Sequence, residues 1–140
     1  MKLAAGEIGT PFQKLLGLRW EIPDDGSVGM SVEMNMRDEF RGPVGSLEGG
    51  IISVLADVAG ASAIARSAGM IATQHIALSF LAPGRVGPIR ATGVPLRVGR
   101  DDGVAEVRIV DVGKDHRLMA VALVTVRILH DRHETMDPGS

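Results

Sequence analysis

Within residues 48–68, EGGIISVLADVAGASAIARSA, a single acid, Asp57, interrupts a helix-length apolar run that opens on Gly49-Gly50. An ionised carboxylate among apolar residues is costly unless it is paired, hydrogen-bonded or neutralised. Asp57 therefore reads in one of two ways. It is a structural acid satisfied by an Arg or by backbone donors, or it is a catalytic carboxylate facing a substrate that enters beside the helix. A membrane span is disfavoured, since an acid at a helix centre costs about 2.5–3.5 kcal/mol on insertion scales. Gly49 and Gly50 stand where the first turn begins, and the N–H groups of a first turn have no partner within the helix. Bare glycines let a ligand approach those groups, which lie at the positive end of the helix dipole and could polarise a carbonyl or hold an oxyanion. The same pair could equally serve only to turn the chain out of the loop Arg41-Gly42-Pro43-Val44-Gly45.

Spacing constrains any joint role. Asp57 lies eight residues beyond Gly49, roughly 12 Å along a helix axis at about 1.5 Å per residue. Reacting groups must come within about 3–3.5 Å. One helix can hardly supply both, so either Asp57 acts alone on a long substrate, or the glycine turn of one chain faces Asp57 of a second chain in a two-fold dimer.

The elements that would position these residues are legible in outline. Residues 10–17, TPFQKLLG, predict a short helix with Thr10 as N-cap, Pro11 at the first helical position and Gly17 as the stop. From Ser27 to Met36 the even positions are apolar and the odd ones are not, a half-buried strand. The apolar residues of 50–68 point all around a helical turn, which predicts a helix with no wet face and carries Asp57 into the interior. Strands are expected at Ile71–Leu81, at 88–98, where Pro95 suggests a bulge or an unpaired backbone position, at 104–111, and at Leu118–Leu129, which reads as a strand covered on both faces. Residues 130–140 form a polar tail. No linker divides residues 1–140, so the expected architecture is one α+β domain, an antiparallel β-sheet wrapped around one long central helix.

Composition excludes several functions. The absence of Cys removes disulfides, thiolate metal sites and a Cys nucleophile, and a net charge of −2 leaves no nucleic-acid footprint. The N-terminal MKLAAGEIGTPF has one Lys and no apolar stretch of signal-peptide type, which points to a cytoplasmic protein. Three Phe, one Trp and no Tyr make the interior aliphatic. His130 and His133 have a spacing that could suit a metal, but on a loose tail they are not taken as ligands, and no metal is expected.

These residues together resemble the hotdog-fold thioesterases, specifically the PaaI-like acyl-CoA thioesterases, over about Gly17 to Ile128. In that family His-Gly-Gly opens the central helix and an acid follows nine residues after the His; Glu48-Gly49-Gly50 and Asp57 hold that spacing. Residues 73–83, TQHIALSFLAP, look like the family strand after the helix, and Arg97-Val98-Gly99-Arg100 like its turn near the CoA nucleotide. The resemblance implies a hotdog fold, a homodimer with a continuous sheet that often pairs into a dimer of dimers, and active sites shared between subunits. It would place Gly49 and Gly50 over the thioester carbonyl, Asp57 of the other subunit as nucleophile or general base, and Thr73 near the attacking water. Phe80, Pro83, Arg85, Arg97, Gly99 and Arg100 would line the CoA path, with CoA entering as part of the substrate and no separate cofactor.

The chain departs from the family pattern at two places. The His before the glycine pair is Glu48, and the Asn or Gln often found about six residues earlier falls at Gly42. A Glu cannot donate to a carbonyl unless protonated. The expected activity is thioester hydrolysis, and the alternative is a catalytically silent acyl-CoA or fatty-acyl binding module. A hydratase is a weaker third reading, because no His-Asp pair is suitably placed.

Overall fold

The computed structural model describes residues 1–4 and 8–130. Seven strands form one antiparallel sheet: β1 (Lys2–Ala4), β2 (Arg19–Glu21), β3 (Met30–Met34), β4 (Ile71–Phe80), β5 (Ile89–Val98), β6 (Asp102–Asp111) and β7 (Arg117–Ile128), in the order β1-β2-β3-β5-β6-β7-β4. Among the described residues two α-helices accompany them, α1 (Pro11–Leu16) and α2 (Gly49–Ala68). The expected tail, beyond His130, and the His130/His133 spacing lie outside the described residues.

Local chemistry sets α1. Thr10 Oγ1 accepts the Gln13 N–H while Gln13 Oε1 accepts the Thr10 N–H, a closed capping box, and Gly17 ends the helix at φ +67°. The strand expected at 27–36 is shorter, and Val28 is exposed rather than inward. Gly29 accounts for this: at φ +121° it breaks the extended run, and its carbonyl accepts a hydrogen bond from the Arg66 guanidinium at the end of α2. From Met30 onward the alternation holds, with Met30, Val32 and Met34 buried. The bulge foreseen at Pro95 is present as a register shift against β6.

Helix α2 lies on the sheet with almost no clearance. A Cβ on Gly60 would come within 2.7 Å of Val124 Cβ, and one on Gly93 within 2.4 Å of the Ala59 carbonyl oxygen, so glycine at both positions allows this approach. Ile52, Leu55, Ala56, Val58, Ala59, Ala63 and Ile64 are buried there, in one core with Val107, Ile109, Val124 and Val126.

The sheet does not enclose the helix. Gly50, Arg66 and Ser67 are exposed, and Asp57 is half-buried, not interior. The reason is topological. β4 is the last strand of the sheet, so the curl stops on one side of α2. Nor is β7 covered on both faces: α2 packs on one face of the sheet, and Leu123, on the other, is 46% exposed.

Between β4 and β5, residues 81–88 cross the ends of β7 and β6. The Leu81 and Ala82 amides both donate to the Met119 carbonyl, and the Val112 amide donates to that of Pro88. This irregular crossover runs beside the N-terminus of α2.

Candidate active site

The first turn of α2 is held from three sides. The Glu48 amide donates to the Phe40 carbonyl at 2.9 Å, the Leu47 amide to the Gly84 carbonyl at 2.8 Å, and the Phe80 ring lies 3.5 Å from where a Gly49 Cβ would be. The Glu48 carbonyl takes the first helical bonds, from Ile51 and Ile52. Gly49 and Gly50 are left with N–H groups that meet no acceptor among the described residues. Glu48 occupies the N-cap position, but its exposed side chain makes no capping hydrogen bond. Ser53 Oγ returns its proton to the Gly49 carbonyl at 3.0 Å.

Two turns along, Thr73 Oγ1 on β4 donates to Asp57 Oδ1 at 2.6 Å. That short charge-assisted bond fixes the carboxylate, and among the described residues Oδ2 has no partner. No Arg pairs with Asp57 among the described residues. Asp57 is thus not the acid of a structural ion pair.

The crossover contributes Pro83 and Arg85, both exposed, with Arg85 Nη1 donating to the Val44 carbonyl at 3.3 Å. The residue that shapes this loop is one the sequence reading did not single out. Asp111, at the end of β6, is fully buried and accepts three successive backbone N–H bonds: Arg85 at 2.8 Å and Val86 at 3.0 Å on Oδ2, and Gly87 at 2.7 Å on Oδ1. Burial pushes its carboxyl up, but the three amides and the Arg117 charge more than offset this and hold it below the usual carboxylate value.

The remaining expected residues stand apart. Arg97 lies near the end of β5, and Gly99 and Arg100 form the turn into β6, where the Gly99 amide donates to the Asp102 carbonyl; Gly103, near the start of β6, packs on Ile64 near the C-terminal end of α2. The ten residues of β5 separate this turn from the crossover, roughly 30 Å at about 3.3 Å per residue. Within one chain the expected CoA-lining set therefore divides: Phe80, Pro83 and Arg85 at one end of α2, Arg97, Gly99 and Arg100 at the other. The best-defined concavities, of about 260, 370 and 520 Å³, do not include Asp57, Thr73 or Gly49 in their walls. Among the described residues no three His, Asp or Glu side chains gather as a metal site.

An uncommitted carboxylate and unpartnered helix amides on one antiparallel hotdog-like layer invite comparison with known proteins. A family model described as the thioesterase superfamily matches residues 44–116, more than half of the chain. This chain belongs to the thioesterase superfamily. The matched segment takes in the Glu48-Gly49-Gly50 turn, Asp57, Thr73 and the crossover. Among solved structures, this thioesterase-superfamily chain is similar to AziG of S. sahachiroi, at 26% identity and TM-score 0.76 over 86% of this chain and 97% of that one. It is likewise similar to a phenylacetic acid degradation-related protein of Ralstonia eutropha JMP134, at 25% identity and TM-score 0.76 over 88% and 94%. The PaaI protein from the E. coli phenylacetic acid degradation operon shares the fold at TM-score 0.77 and 23% identity, over 86% and 85%. A search of curated protein sequences returns no match. The domain is a hotdog fold, as the resemblance implied, and the superfamily match supports a hotdog thioesterase, as does a solved structure at 27% identity described as from the thioesterase superfamily.

Proposed function

We propose that the protein hydrolyses an acyl-CoA thioester at a site completed by a second copy of the chain. The observation that carries this reading is that, among the described residues, the Gly49 and Gly50 amides meet no acceptor and the Asp57 carboxylate is held by Thr73 alone. Helix amides suit the charge that develops on a thioester oxygen, and an oriented carboxylate suits attack or base catalysis.

Geometry favours two chains. Asp57 and the glycine turn lie too far apart on one helix to share a carbonyl, and the edge of β4 away from β7 pairs with no other strand among the described residues of the single chain. If two β4 strands pair antiparallel about a two-fold axis, the sheet becomes continuous, and the glycine-turn end of one α2 lies beside the opposite end of its twin. Asp57 of one chain then approaches the glycine turn of the other. The partner's Arg97–Arg100 turn comes toward Arg85, which reunites the divided CoA set. Two such dimers would pair as a dimer of dimers.

In the nucleophilic course an Asp57 oxygen bonds to the acyl carbon as the C–S bond breaks, the CoA thiolate leaves and takes a proton, and water cleaves the resulting anhydride. In the general-base course Asp57 takes a proton from water as the water oxygen bonds to that carbon; the same C–S bond breaks, and the leaving CoA thiolate takes up a proton while Asp57 releases its own, which restores the base. Both release free acid and CoA. Thr73 serves either course by holding Oδ1 and leaving Oδ2 to act.

The test is thiol release from a panel of short, medium, long and aromatic acyl-CoAs by wild type and Asp57→Asn. Turnover by wild type, lost in Asp57→Asn with CoA binding retained, is the expected result. Binding without turnover in wild type would identify a silent acyl-CoA module instead.

A further inference from the structure

The buried carboxylate of Asp111 satisfies three consecutive amides of an irregular loop that crosses two strands, and such amides would otherwise be costly to bury. What that loop carries gives the contact a consequence for chemistry. Arg85, whose own amide is one of the three, is the cation nearest the glycine turn on this crossover, and the preceding carbonyl, of Gly84, takes the Leu47 amide just before Glu48-Gly49-Gly50. The loop has little freedom to adjust elsewhere. A Cβ on Gly113 would come within 2.3 Å of the Gly87 carbonyl oxygen, and one on Gly87 within 3.2 Å of the Met36 amide nitrogen. The backbone that aims Arg85 is thus set by packing on one side and by one carboxylate on the other.

We infer that Asp111 is a positioning residue for substrate recognition: it presents Arg85 to the phosphate-bearing end of the thioester and ties that contact to the seat of the Gly49-Gly50 amides. The inference rests on the acyl-CoA reading and adds to it a residue that touches no substrate. Removing an acceptor from Asp111 shifts the loop backbone, and Arg85 then loses its aim while its charge remains.

The test compares acyl-CoA with the phosphate-free pantetheine thioester of the same acyl group in wild type, Arg85→Ala, Asp111→Asn and the double variant. Asp111→Asn is expected to raise KM for acyl-CoA about tenfold, the worth of roughly one charge-assisted contact, and to leave KM for the pantetheine ester within about twofold. The double variant should lose no more than either single variant, since both act on one contact. An unchanged preference for acyl-CoA in Asp111→Asn, or losses that multiply in the double variant, would overturn the inference. If wild type hydrolyses neither ester, or Arg85→Ala keeps the full preference, the acyl-CoA reading itself fails at its Arg85 contact. Hydrogen exchange on wild type decides the point should Asp111→Asn not fold. Added CoA is expected to slow exchange at 85–87 and at 47–50 together, whereas protection of 47–50 with 85–87 unmoved would overturn it.

Discussion

The Glu48 side chain lies over Gly42: a Cβ built on Gly42 would sit 3.7 Å from Glu48 Cγ. The two positions at which the chain departs from the His-Gly-Gly pattern therefore meet in space, beside the unpartnered amides. A carboxylate there cannot donate to a thioester oxygen and opposes the charge that oxygen acquires. Glu48→His is expected to raise kcat about tenfold, less than the about 10²–10³ that one oxyanion donor is worth when removed from an evolved site. Steady-state thiol release measures it. A fall in rate would make Glu48 a working part of a different site.

Thr73 holds Asp57 through a single 2.6 Å bond at an exposed position. Thr73→Val should therefore lower kcat by roughly tenfold, while Asp57→Asn should lower it by about 10²–10⁴, the range of a lost acid-base group. Because both side chains are at least partly exposed, the melting temperature should hardly move. A Thr73→Val enzyme with wild-type kcat would remove Thr73 from the mechanism.

The helix rests on Val124 at Gly60, where a Cβ would intrude to 2.7 Å. The intruded atom is Val124 Cβ, next to the backbone, so it cannot swing away. Gly60→Ala should cost about 1–3 kcal/mol through overpacking, despite the higher helix propensity of Ala. Urea denaturation checks this; a stabilised variant would mean that α2 can lift off the sheet freely.

Asp111 gives the fold a specific acid response. Its carboxyl titrates below the usual 3.8 in the folded chain, so its contribution is fully present above that value and is lost as pH falls through the lowered folded value. Asp111→Asn leaves at least one amide without its acceptor and should lower stability at pH 7 by about 1–3 kcal/mol. Denaturation series at falling pH should show the gap between wild type and Asp111→Asn narrowing below the usual carboxylate value. A gap that stays constant with pH would show that the ionised carboxylate is not what holds the loop.

How much of this could be read in the sequence depends on the range of the interaction. The capping box at Thr10 and Gln13, the alternation from Met30 to Met34 and the bulge at Pro95 are set by neighbours in the chain, and the residue types announce them. β1 and β2 are three residues each, too short to show a period; β2 follows from pairing with β3, and β1 from pairing with β2. Asp57 was expected in the interior because an apolar helix looks the same whether a sheet curls fully around it or stops at an edge strand. Only the strand order, with β4 last, decides that half of it stays open. Asp111 was passed over for a similar reason. Its donors are 24 to 26 residues away and are backbone groups, which leave no mark in side-chain spacing.

The central claim is that each site takes Asp57 from one chain and the glycine turn from another, and mixed dimers test it directly. Asp57→Asn removes the carboxylate, and Gly50→Val walls off the amides at a position where a Cβ meets nothing within 4 Å of its own chain. Each variant alone should be inactive. Unfolded together in equal amounts and refolded, half the dimers pair the two variants and each of these holds one intact site, so about a quarter of wild-type activity should return. A mixture as inactive as its components would contradict a site shared between chains.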